Sequence, residues 1–173
     1  MKIEIKQATN VSAERLWEVF GEKYPEIGTW SRSVFASKPR EGVSAGGAPF
    51  LGRICETGFG RVTETIERYD PEKRQITYLV RGEKMPPFVK RMENNWIFRD
   101  IGNGRSQIEM TLNGKISFPF NVLMGWMMKI QLTKDLKSNI EDLVHFAEHG
   151  SPHPGKAKVD ATPKAKKGRE ALA

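Results

Sequence analysis

The sequence predicts an α+β domain in which a seven-stranded antiparallel sheet curves around one long C-terminal helix, with two short helices after the first strand. Three observations carry this expectation. Residues 2–8 alternate polar and apolar side chains with period two. From residue 33 to 117, strand-like runs are cut by turn words at short intervals. After Pro119 the apolar spacing turns helical and continues to Gly150, a natural C-terminal stop before Pro152.

Lys2, Ile3, Glu4, Ile5 and Lys6 open the chain as a half-buried strand. Asn10 or Ser12 can cap the helix "SAERLWEVFGEKY", whose apolar side is Leu16, Trp17, Val19 and Phe20. Pro25 interrupts it, and "PEIGTWS" reads as a second helical turn ending near Trp30. Strands are expected near 33–38, 50–57, 60–69, 75–82, 89–99 and 106–117. The words "GVSAGGAP", "TGFG", "YDPEKR", "GEKMPP" and "DIGNGR" separate them. "GVSAGGAPFLG" lacks the Gly-Lys-Ser/Thr ending of a phosphate loop and reads as a connection.

The long helix has two unlike halves. From Leu132 onward the apolar stripe is Leu132, Leu136, Ile140, Leu143 and Ala147, with Lys134, Asp135, Lys137, Glu141 and Asp142 on the polar side. The preceding stretch "FPFNVLMGWMMKI" is apolar almost all round, with only Asn121 and Lys129 plainly polar. A helix of that kind is covered on both sides or faces something apolar beyond its own sheet. One helix of about thirty residues covers a concave sheet without having to fill it, so a cavity is expected between them.

The 173 residues, 38% of them hydrophobic, suffice for one domain with a real core. That domain is expected to span residues 1–150. Residues 151–173 carry six bases against two acids, more than half of the chain's net charge of +7, in a Pro-, Ala- and Lys-rich stretch without aromatics. Such a composition predicts a basic disordered tail, either solubilising or drawn weakly to nucleic acid or an anionic membrane. Cys55 is the only cysteine, which excludes an internal disulfide and a cysteine-rich metal site. The start lacks the continuous apolar run of a signal peptide, and no run is long enough to span a bilayer, so a cytoplasmic protein is expected.

Strand parity points to an interior marked by a few polar groups. Val62, Glu64 and Ile66 share one face; so do Ile76, Tyr78 and Val80; so do Met92, Asn94, Trp96 and Phe98; and so do Ile108, Met110 and Leu112. Glu64, Tyr78 and Asn94 would thus orient a guest in an apolar pocket. A desolvated Glu64 would have a raised pKa and could move a proton; equally, it could pair with Arg53 or Arg81 or lie in solvent after a bulge. Tyr78 and Asn94 could instead serve neighbouring backbone groups. Glu64 is the one weak catalytic candidate, and no partner base or nucleophile accompanies it. His145, His149 and His153 are four apart, but Gly150 and Pro152 should end the helix before the third, so no metal site is expected. No cofactor is expected either.

Several local words carry a family resemblance. Ala13 to Trp17 with Trp30 downstream, "LGRICETGFGRVTETIERYD" with Gly60, Glu64, Tyr69 and Asp70, the following Tyr78, and "MPPFVKRMENNW" resemble the SRPBCC superfamily of START, Bet v 1-like and polyketide cyclase/dehydrase-like proteins. The resemblance spans about residues 1–148 and implies the helix-grip fold, with a hydrophobic ligand cavity under the C-terminal helix. It implies no particular reaction, since members bind lipids, sterols, quinones or polyketides and some are cyclases, hydrolases or chaperone activators. It also implies that residues 118–130 enter the helix at the cavity mouth, with Met124, Met127 and Met128 as adaptable lining and Trp126 over the opening. Ordinary core and a docking contact stay open for that segment. The candidate ligand-binding set is Trp30, Glu64, Tyr78, Asn94, Trp96, Met110, Leu123, Met124, Met127 and Met128. The expected function is binding or transport of a hydrophobic small molecule such as a lipid or polyketide-like compound. A cyclase/dehydrase-type enzyme using the same cavity, and an interaction protein docking through the helix start and tail, remain as alternatives; the missing acid–base pair favours binding over catalysis.

Overall fold

The computed structural model describes residues 1–44 and 47–173, apart from the Leu123 side chain. The word "GVSAGGAP" therefore lies partly outside the described residues. β1 (Lys2–Thr9) leads to α1 (Ala13–Trp17), which widens into a π-helical turn (Glu18–Glu22) and is followed by a 3-10 turn (Tyr24–Thr29). Of the two expected caps it is Ser12 that serves, its hydroxyl accepting from the Arg15 amide at 3.2 Å. Six strands follow: β2 (Val34–Arg40), β3 (Gly52–Thr57), β4 (Gly60–Asp70), β5 (Gln75–Gly82), β6 (Val89–Gly102) and β7 (Arg105–Ile116). All neighbours pair antiparallel in the order β1-β7-β6-β5-β4-β3-β2, so a meander from β2 to β7 is closed off by β1. Register shifts at Val34/Ala36, Ile66/Arg68, Val89/Arg91 and Asp100/Gly102 supply the local bending of a curved sheet.

The helix begins as a short turn, α2 (Phe120–Leu123), breaks at Met124, and continues as α3 (Gly125–His149). It ends where the sequence said it would: Gly150 adopts φ 68°, the left-handed cap that favours glycine. Leu136, Ile140, Leu143 and Ala147 are buried against the concave sheet and α1, while Leu132 is only half-buried. Asp142 departs from its expected polar side. It is fully buried because Arg32 wraps it, with the Arg32 amide donating to Oδ2 at 2.8 Å and Nε 2.6 Å from Oδ1. That clasp ties the segment after the 3-10 turn to α3.

The tail is not disordered. Residues 154–160 form α4 (Pro154–Asp160) and residues 163–172 form α5 (Pro163–Leu172), capped by His153 and Thr162. On β2, Val34 points into the core and Phe35 points to the opposite face, where a Cβ on Gly168 would lie 3.1 Å from its ring. α5 thus covers the outer face of β2 and β3, burying Phe35, Ala165 and Leu172. Lys156 is buried with its ammonium 2.7 Å from the Val34 carbonyl and 3.0 Å from Asp160. Lys38 and Arg61 donate to the carbonyls of Leu172 and Ala171 at 3.1 and 2.9 Å. Composition misled here because the tail borrows its apolar partner, Phe35, from the sheet and seats its buried cation, Lys156, on a carbonyl of β2, neither of which its own composition reveals.

Candidate ligand-binding site

The sheet and α3 do not meet along their full length. Two hollows lie between them. The inner chamber, about 130 Å³, is bounded by Phe20 and Trp30 from the helical turns, Arg53 and Cys55 on β3, Val62 and Glu64 on β4, Tyr78 on β5, Asn94 and Trp96 on β6, and Leu136 and Asn139 on α3. The outer hollow, about 400 Å³, is bounded by Phe59, Val62, Val80, Met85, Pro86, Val89 and Met92 from the sheet end, and by Met128, Gln131, Leu132 and Asp135 on α3. Val62 borders both, and α3 runs from one to the other in successive turns. The outer hollow alone falls in the usual range for small-molecule pockets, whereas the inner chamber has room for only a small group.

Period-two parity fixes which strand residues reach the inner chamber, so Glu64, Tyr78, Asn94 and Trp96 meet there as expected, and Trp30 joins them from the 3-10 turn. Of the helix methionines only Met128 borders a hollow. The inward positions of α3 run 128, 132, 135–136 and 139; Met127 lies about 100° round the helix and is half exposed, and the break at Met124 takes that side chain out of line. Trp126 is 65% exposed and covers no opening. Met110 is fully buried core and borders neither hollow, because β7 lies on the far side of the sheet, beyond β6. The Leu123 side chain lies outside the described residues.

Glu64 is not a free carboxyl. Its Oε2 receives Arg53 Nε at 2.6 Å and the Tyr24 hydroxyl at 2.5 Å. Arg53 in turn donates from Nη1 to the Tyr24 carbonyl at 2.6 Å, and its guanidinium carbon lies 3.8 Å from the Tyr24 ring centre. Burial works against the Arg53 charge, but Glu64 foremost, with Tyr24, Cys55 and Tyr78 adding to it, outweighs that effect, so the guanidinium pKa is raised. Burial pushes the Tyr24 and Tyr78 phenols up, with the Glu64 charge adding to both. Burial likewise pushes the Cys55 thiol up to about 12. The floor of the site is therefore a closed ion pair among protonated phenols and a protonated thiol.

Arg53 was visible in the sequence only as one possible partner, and Tyr24 was not singled out at all. The signal for Arg53 lay in the turn "TGFG": Thr57 pairs with Gly60 across a two-residue loop, and counting back sets Arg53 opposite Glu64. Tyr24 reaches the site from a 3-10 turn whose placement depends on packing, so no local pattern announced it. The three histidines cluster, His145 stacking on His149 at 4.3 Å and meeting His153 edge-on at 5.2 Å. Among the described residues no group of three His, Cys, Asp or Glu side chains converges for a metal ion.

With this geometry in hand, comparison with known proteins is decisive for the family. The model of the "polyketide cyclase / dehydrase and lipid transport" family matches residues 1–148. The chain belongs to this family. No curated protein matches it. Among solved structures, the Zhui aromatase/cyclase from Streptomyces shares 14% identity at a TM-score of 0.68, covering 86% of this chain and 93% of that one. A START superfamily protein from Mycobacterium smegmatis shares 15% identity at a TM-score of 0.65, covering 87% and 99%. Ara h 8.0201 shares 14% identity at a TM-score of 0.60, covering 85% and 97%. At such identities the likeness shows the fold, a seven-stranded antiparallel sheet gripping a long helix. Family and fold together suggest a hydrophobic-ligand-binding or polyketide cyclase-like protein. Among the described residues no helix is long and apolar enough to cross a membrane.

Proposed function

We propose that this protein binds, without chemical conversion, an apolar small molecule of the lipid or polyketide kind. The observation that carries this reading is the oily outer hollow of about 400 Å³ between the sheet end and α3, which shares Val62 with the aromatic inner chamber. Catalysis by Glu64 is disfavoured because its Oε2 already holds both Arg53 and Tyr24, and a proton transfer would have to break that closed pair. Native mass spectrometry of gently purified protein should show a co-purifying guest, and an uncharged apolar dye should be taken up with a blue-shifted emission. Met128→Trp narrows the outer hollow and should cut dye uptake severalfold at unchanged circular dichroism. Repeated absence of guest together with no dye uptake would overturn the reading.

A second reading, docking on a lipid surface through the helix start, is favoured by a specific exposure pattern. Phe118 (81% exposed), Val122, Trp126 and Ile130 are exposed around the start of α3, whose Met128 borders the outer hollow. Residues 114–134 hold Lys115, Lys129 and Lys134 and no acidic residue, matching an anionic headgroup layer. Flotation with anionic vesicles should carry the protein upward, and Trp126→Ala with Phe118→Ala should abolish this. Equal recovery of wild type and variant would refute it.

A further inference from the structure

The sheet is split at the end that borders the outer hollow. β5 and β6 pair from Gln75 opposite Ile97 to Leu79 opposite Glu93, and there their ladder stops. Beyond that point each strand keeps only its other neighbour: residues 80–82 stay opposite β4, and residues 89–92 run along β7. The sequence explains the split, since Pro86 and Pro87 in the connection have no backbone N–H to extend a ladder. The diverging strand ends leave a cleft of about 300 Å³ lined by residues 79–82, 85–87 and 89–92. Val80, Gly82, Met85, Pro86, Val89 and Met92 line both this cleft and the outer hollow. The cleft also carries uncompensated positive charge: its lining holds Arg81, Lys90 and Arg91 and no acidic residue. Arg91 is engaged by Glu67 at 2.7 Å and Glu93 at 2.8 Å. The side chains of Arg81 and Lys90 have no hydrogen bond or ion pair among the described residues. Glu83, the one acid between the two strand ends, is not part of the lining and acts on Arg61.

Taking the binding reading above as its basis, we propose that the guest is a single-chain amphiphile with an anionic head group, a carboxylate or a phosphate. Its hydrocarbon lies in the outer hollow, and its head sits in the β5–β6 cleft against Arg81 and Lys90. The guanidinium fork of Arg81 matches two oxygens of either anion, and Lys90 adds a point charge. Lys90 stands at the Val89/Arg91 register shift, the kind of irregularity that re-aims a side chain out of the ladder. An ammonium head would meet three like charges, and an uncharged head would gain nothing from them. Within the hollow itself the polar side chains are Lys84, Gln131 and Asp135, and Gln131 already donates to Asp135 at 2.9 Å. Lys84 is therefore the one rival seat for an anion, a single charge against the pair in the cleft. Arg81 and Lys90 are both solvent-exposed, so the pair is expected to favour an anion by about fivefold rather than by the large factor of a buried site.

The test is displacement of uncharged N-phenylnaphthylamine from the full chain, at neutral pH and low ionic strength, by monomeric decanoate, decyl phosphate and decanol. Decanol is the reference within each variant, so differences in hydrophobicity cancel. Arg81→Gln/Lys90→Gln should weaken decanoate or decyl phosphate about fivefold relative to decanol, and the anion that loses more identifies the head as carboxylate or phosphate. The loss should shrink as salt is added. Lys158→Gln/Lys166→Gln removes the same charge from the C-terminal helices and should leave the ratio of anion to decanol as in the wild type. An unchanged ratio in the cleft variant would overturn the head-group seat while leaving the apolar-binding reading intact. An equal loss in the Lys158/Lys166 variant would overturn it too, since it would show only general attraction to a basic chain. Loss on Lys84→Gln but not on the cleft variant would place the head at the hollow's rim and overturn the cleft seat. Failure of the probe itself to bind would sink both readings.

Discussion

Glu64→Gln preserves side-chain size while removing the carboxylate that faces the buried Arg53 guanidinium. Arg53 is 1% exposed, so its charge cannot turn to water when the partner is lost. It would keep the Tyr24 carbonyl at 2.6 Å and the Tyr24 ring at 3.8 Å, contacts it already has, and so gains no compensation from them. The glutamine amide can offer one neutral oxygen where two charge-assisted donors now converge, the Arg53 Nε at 2.6 Å and the Tyr24 hydroxyl at 2.5 Å. Leaving a buried charge unpaired costs about 3–5 kcal/mol. For a domain of this size that lowers Tm by at least about 6 °C. Equilibrium urea unfolding of the wild type, Glu64→Gln, Glu64→Leu, Arg53→Met and the Arg53→Met/Glu64→Leu double variant reads this directly. The double variant should be less damaged than the sum of its two singles by about 2 kcal/mol, since removing both charges leaves neither stranded. A loss below about 1 kcal/mol for Glu64→Gln, or simple additivity in the cycle, would show that the pair is not the closed, desolvated unit described here.

Other outcomes follow from the same coordinates. With its pKa pushed up to about 12, Cys55 has about one thiolate in ten thousand at pH 8, so a thiol reagent should label it far more slowly in the native state than in denaturant. Gly52→Ala should be severely destabilising, because the new Cβ would lie 2.0 Å from the Glu64 carbonyl oxygen on the paired strand; thermal unfolding measures it. Deleting residues 151–173 should lower stability by about 2–5 kcal/mol through exposure of Phe35 and loss of the buried Leu172, yet leave dye uptake intact, because α5 packs on the face opposite the hollows. Glu18 is held down to about 2, first by its hydrogen bonds to Lys23 and Arg15. A depressed carboxylate stabilises the fold above its unfolded pKa, so this contribution should disappear as pH falls from 4.5 toward 2, and Glu18→Gln should flatten that part of the stability–pH curve.

The sequence by itself determined the order of elements and the faces of the strands. Side chains alternate strictly along a strand, so Glu64, Tyr78, Asn94 and Trp96 could be assigned to one interior without knowing what enclosed them. The stop at Gly150 and the inward stripe of Leu136, Ile140 and Leu143 were legible for the same reason, since a helix repeats its pattern locally. Tertiary structure alone decided the rest. Tyr24 became a partner of Glu64, and Asp142 of Arg32, through contacts 40 and 110 residues apart in the chain, which no local period encodes. The break at Met124 took that methionine out of line with α3, and the phase in which α3 then docked turned Met128 to the hollow and Met127 away from it. The lysine-rich end folded because β2 and β3 offered Phe35 and free carbonyls to it, a surface that exists only after the sheet has formed.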